Sequence, residues 1–328
     1  MCQPTSVLIY ATVRRLDSAH RRVRWARMSL TIASVNVNGI RAATKVRNEN
    51  NPGMLAWLEE TSADVVLMQE VRATQTQAEA ALAPAIEQGW HVYFAPAAAK
   101  GRAGVGIASR TPLSDIRVGI PSFEDSGRFI AGTLDDGTVV SSLYLPSGST
   151  GTEKQDEKWR FLDQFEPLLA QWAEENKDMV IGGDWNICHR REDLKNWKGN
   201  QKSSGFLPGE RAFMDSVFGC FPDDEAQDVD AKDEAGFFGA VDYVSDLRRA
   251  ACAEPRWFDV ARRLQPEDAP YTWWTYRGQA FNNNAGWRID YQAVTASMLE
   301  RAQRTWVEKA ATVEERWSDH SPLLVEYR

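Results

Sequence analysis

Short apolar runs that each close on a polar pair set the strongest limit on what this chain can fold into. The sharpest is Met179-Val-Ile-Gly-Gly-Asp-Trp-Asn-Ile-Cys-His189. Its three apolar residues stop at Gly182-Gly183, the pattern of a buried strand delivering its end to a cleft. Asp184 and Asn186 follow two apart, and residues two apart in an extended chain share a face. An ionisable oxygen and a neutral amide thus leave the strand end side by side, able to hold a water and a developing oxyanion. On its own a Gly-Asp after a strand makes a turn more readily than a site, so partners elsewhere must decide.

Two earlier runs repeat the design. Leu30–Asn38 is β-branched and strand-like and closes on Asn36, Asn38 and Gly39. Ala63–Glu70 reads as a buried strand ending in an acid, and Glu70 beside asparagines at a neighbouring strand end reads as a metal ligand ahead of a solvated cap. A helix is expected from Pro52 to Glu60, with proline near its start, and an Ala-rich helix over Gln75–Ala85. His91–Ala95 and Gly104–Ser109 read as strands around the basic loop Lys100-Gly-Arg102, either a phosphate contact or a simple turn. Phe129–Leu134 and Thr138–Leu145 form a hairpin turned by Asp135-Asp136-Gly137, and the second strand runs out through Tyr144-Leu-Pro-Ser147.

Glu153–Glu174 is a long amphipathic helix with Phe161, Leu162, Phe165, Leu168, Leu169 and Trp172 on one side, and Pro167 is a point of kinking. Residues 193–211 are polar and basic, with Lys195, Lys198 and Lys202, before a helix opens at Pro208; loops this long are usually functional. Trp287–Tyr291 reads as a strand with Asp290 mid-run. A carboxylate between Ile289 and Tyr291 should be buried and needs a cationic or donor partner. His320, in the loop before the last strand, is a candidate; alone it would pass for an exposed loop histidine.

The whole chain narrows the chemistry. With 328 residues, 43% of them hydrophobic, a full core is available. No apolar run approaches ~18 residues, so no membrane span is expected. The four cysteines form no CxxC, which reads as free thiols in a reducing cytoplasm. With only four histidines, carboxylates should hold any metal, favouring Mg²⁺ or Mn²⁺ over Zn²⁺. The net charge of −8 argues against a nucleic-acid partner at first sight. Its distribution softens that. Residues 1–27 hold six arginines and one aspartate, and residues 222–254 hold ten acids and three bases. The first stretch reads as a disordered or foreign extension before a natural start at Met28, with an organelle-type presequence as the alternative. The second reads as a peripheral acidic insertion, partly disordered or helical, in a single domain spanning 28–328.

Both halves look alike in kind, with strand ends carrying Asn36, Asn38 and Glu70, then Asp184, Asn186, Asp290 and His320. The expected class is α/β: two packed mixed β-sheets flanked by helices, with a shared cleft at one edge. Together with Tyr144 and Asp319, these groups make a carboxylate-rich metal site plus an acid/base set. That suits hydrolysis of a phosphate ester by direct attack of water.

Six motifs in order then resemble the exonuclease III family of apurinic/apyrimidinic (AP) endonucleases. They are Asn36-Val-Asn-Gly-Ile-Arg41, Leu67-Met-Gln-Glu70, Gly183-Asp-Trp-Asn186, Gly205-Phe-Leu-Pro-Gly-Glu-Arg211, Gly286-Trp-Arg-Ile-Asp-Tyr291 and Ser318-Asp-His320. The resemblance runs from about residue 29 to the end, apart from 222–254, and implies the four-layered α/β sandwich of the endonuclease/exonuclease/phosphatase superfamily. It implies Glu70 as principal Mg²⁺ ligand, with Asn36 and Asn38 in its shell and Asp319 nearby. Asp184 would position or deprotonate the attacking water, with Asn186 as its partner also near the metal. His320, paired with Asp290, would face the scissile phosphate as an imidazolium, and Tyr144 would touch phosphate.

Trp273, Trp287 and Ile289 would wall a pocket for a flipped-out baseless sugar, which costs less to extrude than a normal nucleotide. Gly205 would keep the DNA-facing loop close, and Arg41, Lys100, Arg102 and Lys202 would contact DNA. Ser147 departs from the pattern, standing where relatives tend to carry a longer amide. The implied partner is double-stranded DNA with abasic sites or blocked 3′ ends, met by a monomer in a nucleoid-associated cytoplasmic setting. Alternatives are a 3′-exonuclease with little AP endonuclease activity and another hydrolase of the superfamily, such as a deoxyribonuclease I-like nuclease or an inositol or sphingolipid phosphatase. Gly205–Arg211 and Trp287–Asp290 speak against the latter. A non-catalytic nucleic-acid-binding relative ranks last, because every expected catalytic position holds a competent side chain.

Overall fold

The computed structural model describes residues 29–99, 101–221, 229–230, 239–244, 247–268 and 270–328. The extension before Met28, Lys100 and much of the acidic segment lie outside the described residues. In chain order the strands begin with β1 (Leu30–Asn36), β2 (Val65–Gln69), β3 (His91–Ala95), β4 (Val105–Ser109), β5 (Ser114–Val118), β6 (Phe129–Thr133) and β7 (Val139–Tyr144). They continue with β8 (Met179–Asp184), β9 (Val229–Asp230), β10 (Arg248–Arg249), β11 (Phe258–Asp259), β12 (Asp290–Val294), β13 (Ala302–Val307) and β14 (Leu323–Tyr327).

Twelve of these make two six-stranded sheets, ordered β13-β14-β1-β2-β4-β3 and β11-β12-β8-β7-β6-β5, while β9 and β10 pair separately. Each large sheet is mixed, with one parallel pair, β1 with β2 and β7 with β8. Their inner faces meet on Ile32, Leu67, Ile107, Ile130, Val140, Val180 and Val325. Outside the first sheet, Ala33, Val35 and Met68 pack on helices Met54–Glu60 and Gln75–Ala81. Outside the second, Leu143 and Ile181 pack on helices Glu153–Glu175 and Pro208–Phe218. The result is the expected four-layered α/β sandwich.

Strand periodicity explains where the polar residues go. Ile32, Ser34 and Asn36 alternate onto the inner face, as do Val180, Gly182 and Asp184, and Val140, Ser142 and Tyr144. The apolar part of each alternation builds the seam between sheets, and the last inward residue of each strand is polar. Parallel registry sets Tyr144 beside Asp184, and antiparallel registry sets Asp290 beside Asp184. Gly182 lets the sheets close at this point, since a Cβ there would lie 2.4 Å from Leu67 Cδ1.

Two expectations need correction. The Ala-rich helix is two, Gln75–Ala81 and Ala83–Glu87, because Pro84 cannot donate into a continuing helix and must open a new one. Asp290 starts its strand and is not mid-run. Residues 288 and 289 bond to loops instead, Arg288 N–H to Asp193 O at 2.7 Å and Ile289 N–H to Thr272 Oγ1 at 3.2 Å. The reading of 222–254 as partly disordered or helical falls largely outside the described residues, and the described part is pinned to the helix Glu153–Glu175. Asp156 accepts from Val241 N–H at 2.8 Å and Asp242 N–H at 3.0 Å, and buried Arg249 pairs with Asp163 and Glu166. No helix among the described residues is long and apolar enough to cross a membrane. Cys188, Cys220 and Cys252 are free thiols.

Candidate active site

A cleft of about 400 Å³ opens where the two sheets present their polar strand ends. Its walls include Asn36, Asn38, Glu70, Asp184, Asn186, Asp319 and His320. Asn38, Glu70 and Asn186 all have left-handed backbones, with φ of 48°, 50° and 52°. That conformation is uncommon for residues other than glycine and clusters at functional sites. Each breaks an extended run just as the chain leaves its sheet.

One half of the cleft is an acid/base set. His320 Nδ1 lies 2.8 Å from Asp290 Oδ2, and its Nε2 lies 3.8 Å from Asp184 Oδ2, beyond hydrogen-bond reach. Asp290 is fully buried, and its other oxygen has no hydrogen-bond partner among the described residues. Burial disfavours the His320 cation, but the charge and hydrogen bond of Asp290, helped by Asp184 and Asp319, outweigh it and raise the imidazole to about 10. For Asp184, burial comes first and Asp290 and Glu70 add to it. His320 and the Asn36 amide oppose them, and the carboxyl still rises to about 7. Asn36 donates to Asp184 Oδ2 at 2.9 Å, and the Asn186 N–H donates to Asp184 Oδ1 at 3.0 Å.

The other half is built of hard oxygen donors. Glu70 receives a short hydrogen bond from the Tyr144 hydroxyl and an ion pair from Arg72. Burial and the charges of Glu70 and Asp184 push the Tyr144 phenol far up, so it stays a donor. Asp319 accepts from Asn38 Nδ2 at 2.8 Å and from Trp273 Nε1 at 3.0 Å. Glu70, Asp184 and Asp319 with the asparagine amides form an all-oxygen set, and Glu70 already draws one cation, Arg72. This set fits a hard divalent cation. Asp184, Asp290 and His320 also converge closely enough to enclose a cation. The Asp290–His320 hydrogen bond uses His320 Nδ1 and Asp290 Oδ2 and leaves His320 Nε2 and Asp290 Oδ1 uncommitted.

Aromatic groups close the far end. Trp273 and Trp287 meet edge to face with ring centroids 6.0 Å apart, and buried Ile289 packs beside them. Gly205 has φ 93°, and a Cβ there would sit 2.9 Å from Trp287 Cζ3, so only glycine brings this loop so near.

Not every expected residue gathers here. Arg41, Arg102 and Lys202 are exposed and outside the cleft lining, and Lys100 lies outside the described residues. Tyr144 is behind Glu70 and not in the lining. Sequence reasoning missed Arg72, which lines the cleft and donates to Asn38 Oδ1 at 2.8 Å. The available signal was a cation two residues beyond Glu70. It also missed Asp193, whose carboxylate grips Arg288 between the two pocket-wall residues at 2.8 and 3.2 Å.

A sandwich with carboxylates and an imidazole gathered at its facing strand ends suits the handling of a phosphate ester. Residues 33–320 match the model of the Endonuclease/Exonuclease/phosphatase family, and the chain belongs to that family. An exodeoxyribonuclease of Bacillus subtilis is 28% identical over 298 residues, covering 90% of this chain and 98% of its own. The DNA repair nuclease APEX1 of Danio rerio is 28% identical over 301 residues, covering 90% and 82%. The solved structure of an AP endonuclease from Archaeoglobus fulgidus superposes with a TM-score of 0.69 at 24% identity, covering 91% and 99%. Within the family the chain is thus an enzyme of the exonuclease III-type AP endonuclease group, a DNA-repair nuclease.

Proposed function

We propose that this enzyme hydrolyses the DNA backbone on the 5′ side of abasic sites and trims blocked 3′ ends, acting as a monomer on duplex DNA in the cytoplasm. The observation that carries this reading is the meeting of Asp184, the Asp290–His320 pair and Glu70 in one cleft walled by Trp273 and Trp287. Glu70, with Asn36, Asn38 and Asp319 around it, would hold Mg²⁺, or Mn²⁺ in its place, and Asp184 and Asn186 border it. When bound, the ion supplies neutralisation of phosphoryl charge.

The protein's own groups do the rest. Asp184, with its carboxyl raised toward neutrality, orients a water and accepts its proton. Asn186 offers an amide to the non-bridging oxygens. His320 stays cationic beside Asp290 and faces the charge that develops at phosphorus. Tyr144 fixes Glu70, and Trp273, Trp287 and Ile289 receive a sugar that carries no base. Arg72, the second cation of the lining beside His320, would contact a phosphate.

The test is an end-labelled duplex with a single abasic-site analogue, incubated with Mg²⁺ or with EDTA. One Mg²⁺-dependent cut on the 5′ side is expected, and Asp184→Asn should slow it about 100- to 10,000-fold. A ladder shrinking from the 3′ end with no internal cut would replace this reading with that of a 3′-end-processing exonuclease.

A further inference from the structure

Lys158 and Glu210 are both completely buried, and neither faces the cleft. A buried ion pair is tolerable only when its remaining protons and lone pairs are also satisfied. Here most of the satisfying groups belong to the cleft wall. Lys158 Nζ lies 2.7 Å from Glu210 Oε1 and donates to the carbonyls of Asn186 at 2.9 Å and Ser147 at 3.4 Å. Glu210 Oε2 accepts from the N–H of Gly205 at 2.7 Å and of Leu207 at 3.0 Å. Its Oε1 also accepts from the Ser204 hydroxyl at 3.3 Å and the Gln155 amide at 3.2 Å.

Ser147, Asn186, Ser204 and Gly205 all line the cleft. They come from three stretches of chain, one after β7, one after β8, and the long polar loop. Neighbouring stretches also bond directly, Ser204 Oγ to Ser147 O at 2.8 Å, Asn186 Nδ2 to Leu145 O at 3.0 Å and Cys188 N–H to Gly205 O at 2.7 Å, and the buried pair bonds to all three at once. The consequence is sharpest at Gly205, which leaves no room for a Cβ against Trp287. A small drift of this loop would change the width of the slot beside Trp287 and the seat of the Asn186 amide.

We propose that Lys158 and Glu210 are positioning residues that set this slot, and so decide the preference for an abasic nucleotide within a duplex over a 3′-phosphate end. The proposal rests on the function argued above. Neither residue touches substrate; they act through Gly205 and Asn186.

The experiment compares full-length wild type with Glu210→Gln, Lys158→Met, Lys158→Arg and the double variant Lys158→Met/Glu210→Leu. Each is assayed for kcat and KM on a duplex with one tetrahydrofuran abasic analogue and on a duplex ending in a 3′-phosphate, with thermal unfolding alongside. The ratio of abasic incision to 3′-phosphate removal should fall about tenfold or more in Glu210→Gln, since small displacements cost this much or more. Lys158→Arg should recover part of it. The double variant should regain thermal stability, as apolar replacements of buried pairs often do. It should not regain the ratio, because the Gly205 N–H and Asn186 carbonyl lose their anchor. A ratio within about twofold of wild type in the folded variants, or a double variant that regains both properties, overturns the proposal. If Lys158→Met does not fold, the isosteric Glu210→Gln decides. Wild type that fails to incise the abasic duplex overturns the functional reading, and the selectivity assigned to the pair falls with it. An active wild type with unchanged variant ratios overturns the pair alone.

Discussion

At His320 two opposing effects meet. Burial disfavours the imidazolium, while the Asp290 carboxylate, then Asp184 and Asp319, favour it and win, raising the group to about 10. A raised value means the charged form persists through neutral pH and is lost as pH climbs through that value. Asp290→Asn removes the largest favourable charge and leaves burial in place, so the imidazole should titrate at lower pH. We expect kcat/KM to fall about 10⁴-fold, as when an orienting carboxylate behind a catalytic histidine is neutralised. The alkaline limb of the pH–rate profile should move toward neutrality. A profile measured at fixed Mg²⁺ that keeps its alkaline limb in place would separate Asp290 from the charge state of His320.

Elements carry the next level of control. The strand β12 begins at Asp290, and the residues before it are steered by Asp193 from the loop after β8. Arg288 and Arg262 both pair with Asp193, and Arg288 also reaches Asp259 at 2.8 Å. Burial would raise the Asp193 carboxyl, but the two guanidinium charges hold it down to about 2. A depressed carboxyl contributes stability that is full above its unfolded value, about 3.9, and drains as pH falls toward 2. Asp193→Asn should therefore cost about 3 kcal/mol at pH 7, the scale for breaking a buried pair. That penalty should shrink between pH 4 and 2. Denaturant titrations at several pH values check this, and a pH-independent difference would mean packing, not charge, is what the substitution removes.

The strands themselves were legible, because alternation and a polar terminus are local signals; Asn36, Glu70 and Asp184 announce themselves this way, and Asp290 does so as a carboxylate between apolar neighbours. The groups that hold them were not. Lys158 and Glu210 are 52 residues apart, and Asp193 and Arg288 are 95 apart. Nothing in the periodicity of either stretch marks its partner. Pro84 was readable, yet the alanine content around it hid the break.

At the scale of the whole molecule, charge is the puzzle. A chain with net charge −8 is proposed to meet DNA. The cleft adds to the difficulty with Glu70, Asp184 and Asp319 in its lining against Arg72 and His320. A divalent cation held by the oxygen donors of the cleft would offset this locally. Val241, Asp242, Tyr243 and Arg249, among the described residues of the acidic segment, are held on the side of the long helix, where Asp156, Asp163 and Glu166 fall on one face at helical spacing. Arg249 is the hinge pin of that arrangement, buried between Asp163 and Glu166, with the Tyr243 hydroxyl also on Asp163 at 2.7 Å. Arg249→Ala would leave the two acids facing each other without their cation. Breaking such a pair costs about 3–5 kcal/mol, and each 1.4 kcal/mol raises the open population about tenfold. Native-state cleavage by chymotrypsin at Tyr243 should therefore accelerate by about tenfold or more, since proteolysis follows that population. The strands and the cleft do not depend on Arg249, so removal of a 3′-phosphate should stay within about twofold of wild type. An unchanged cleavage rate would mean Asp156 and the backbone carry the docking. A matching loss of phosphatase activity would mean the segment supports the cleft itself.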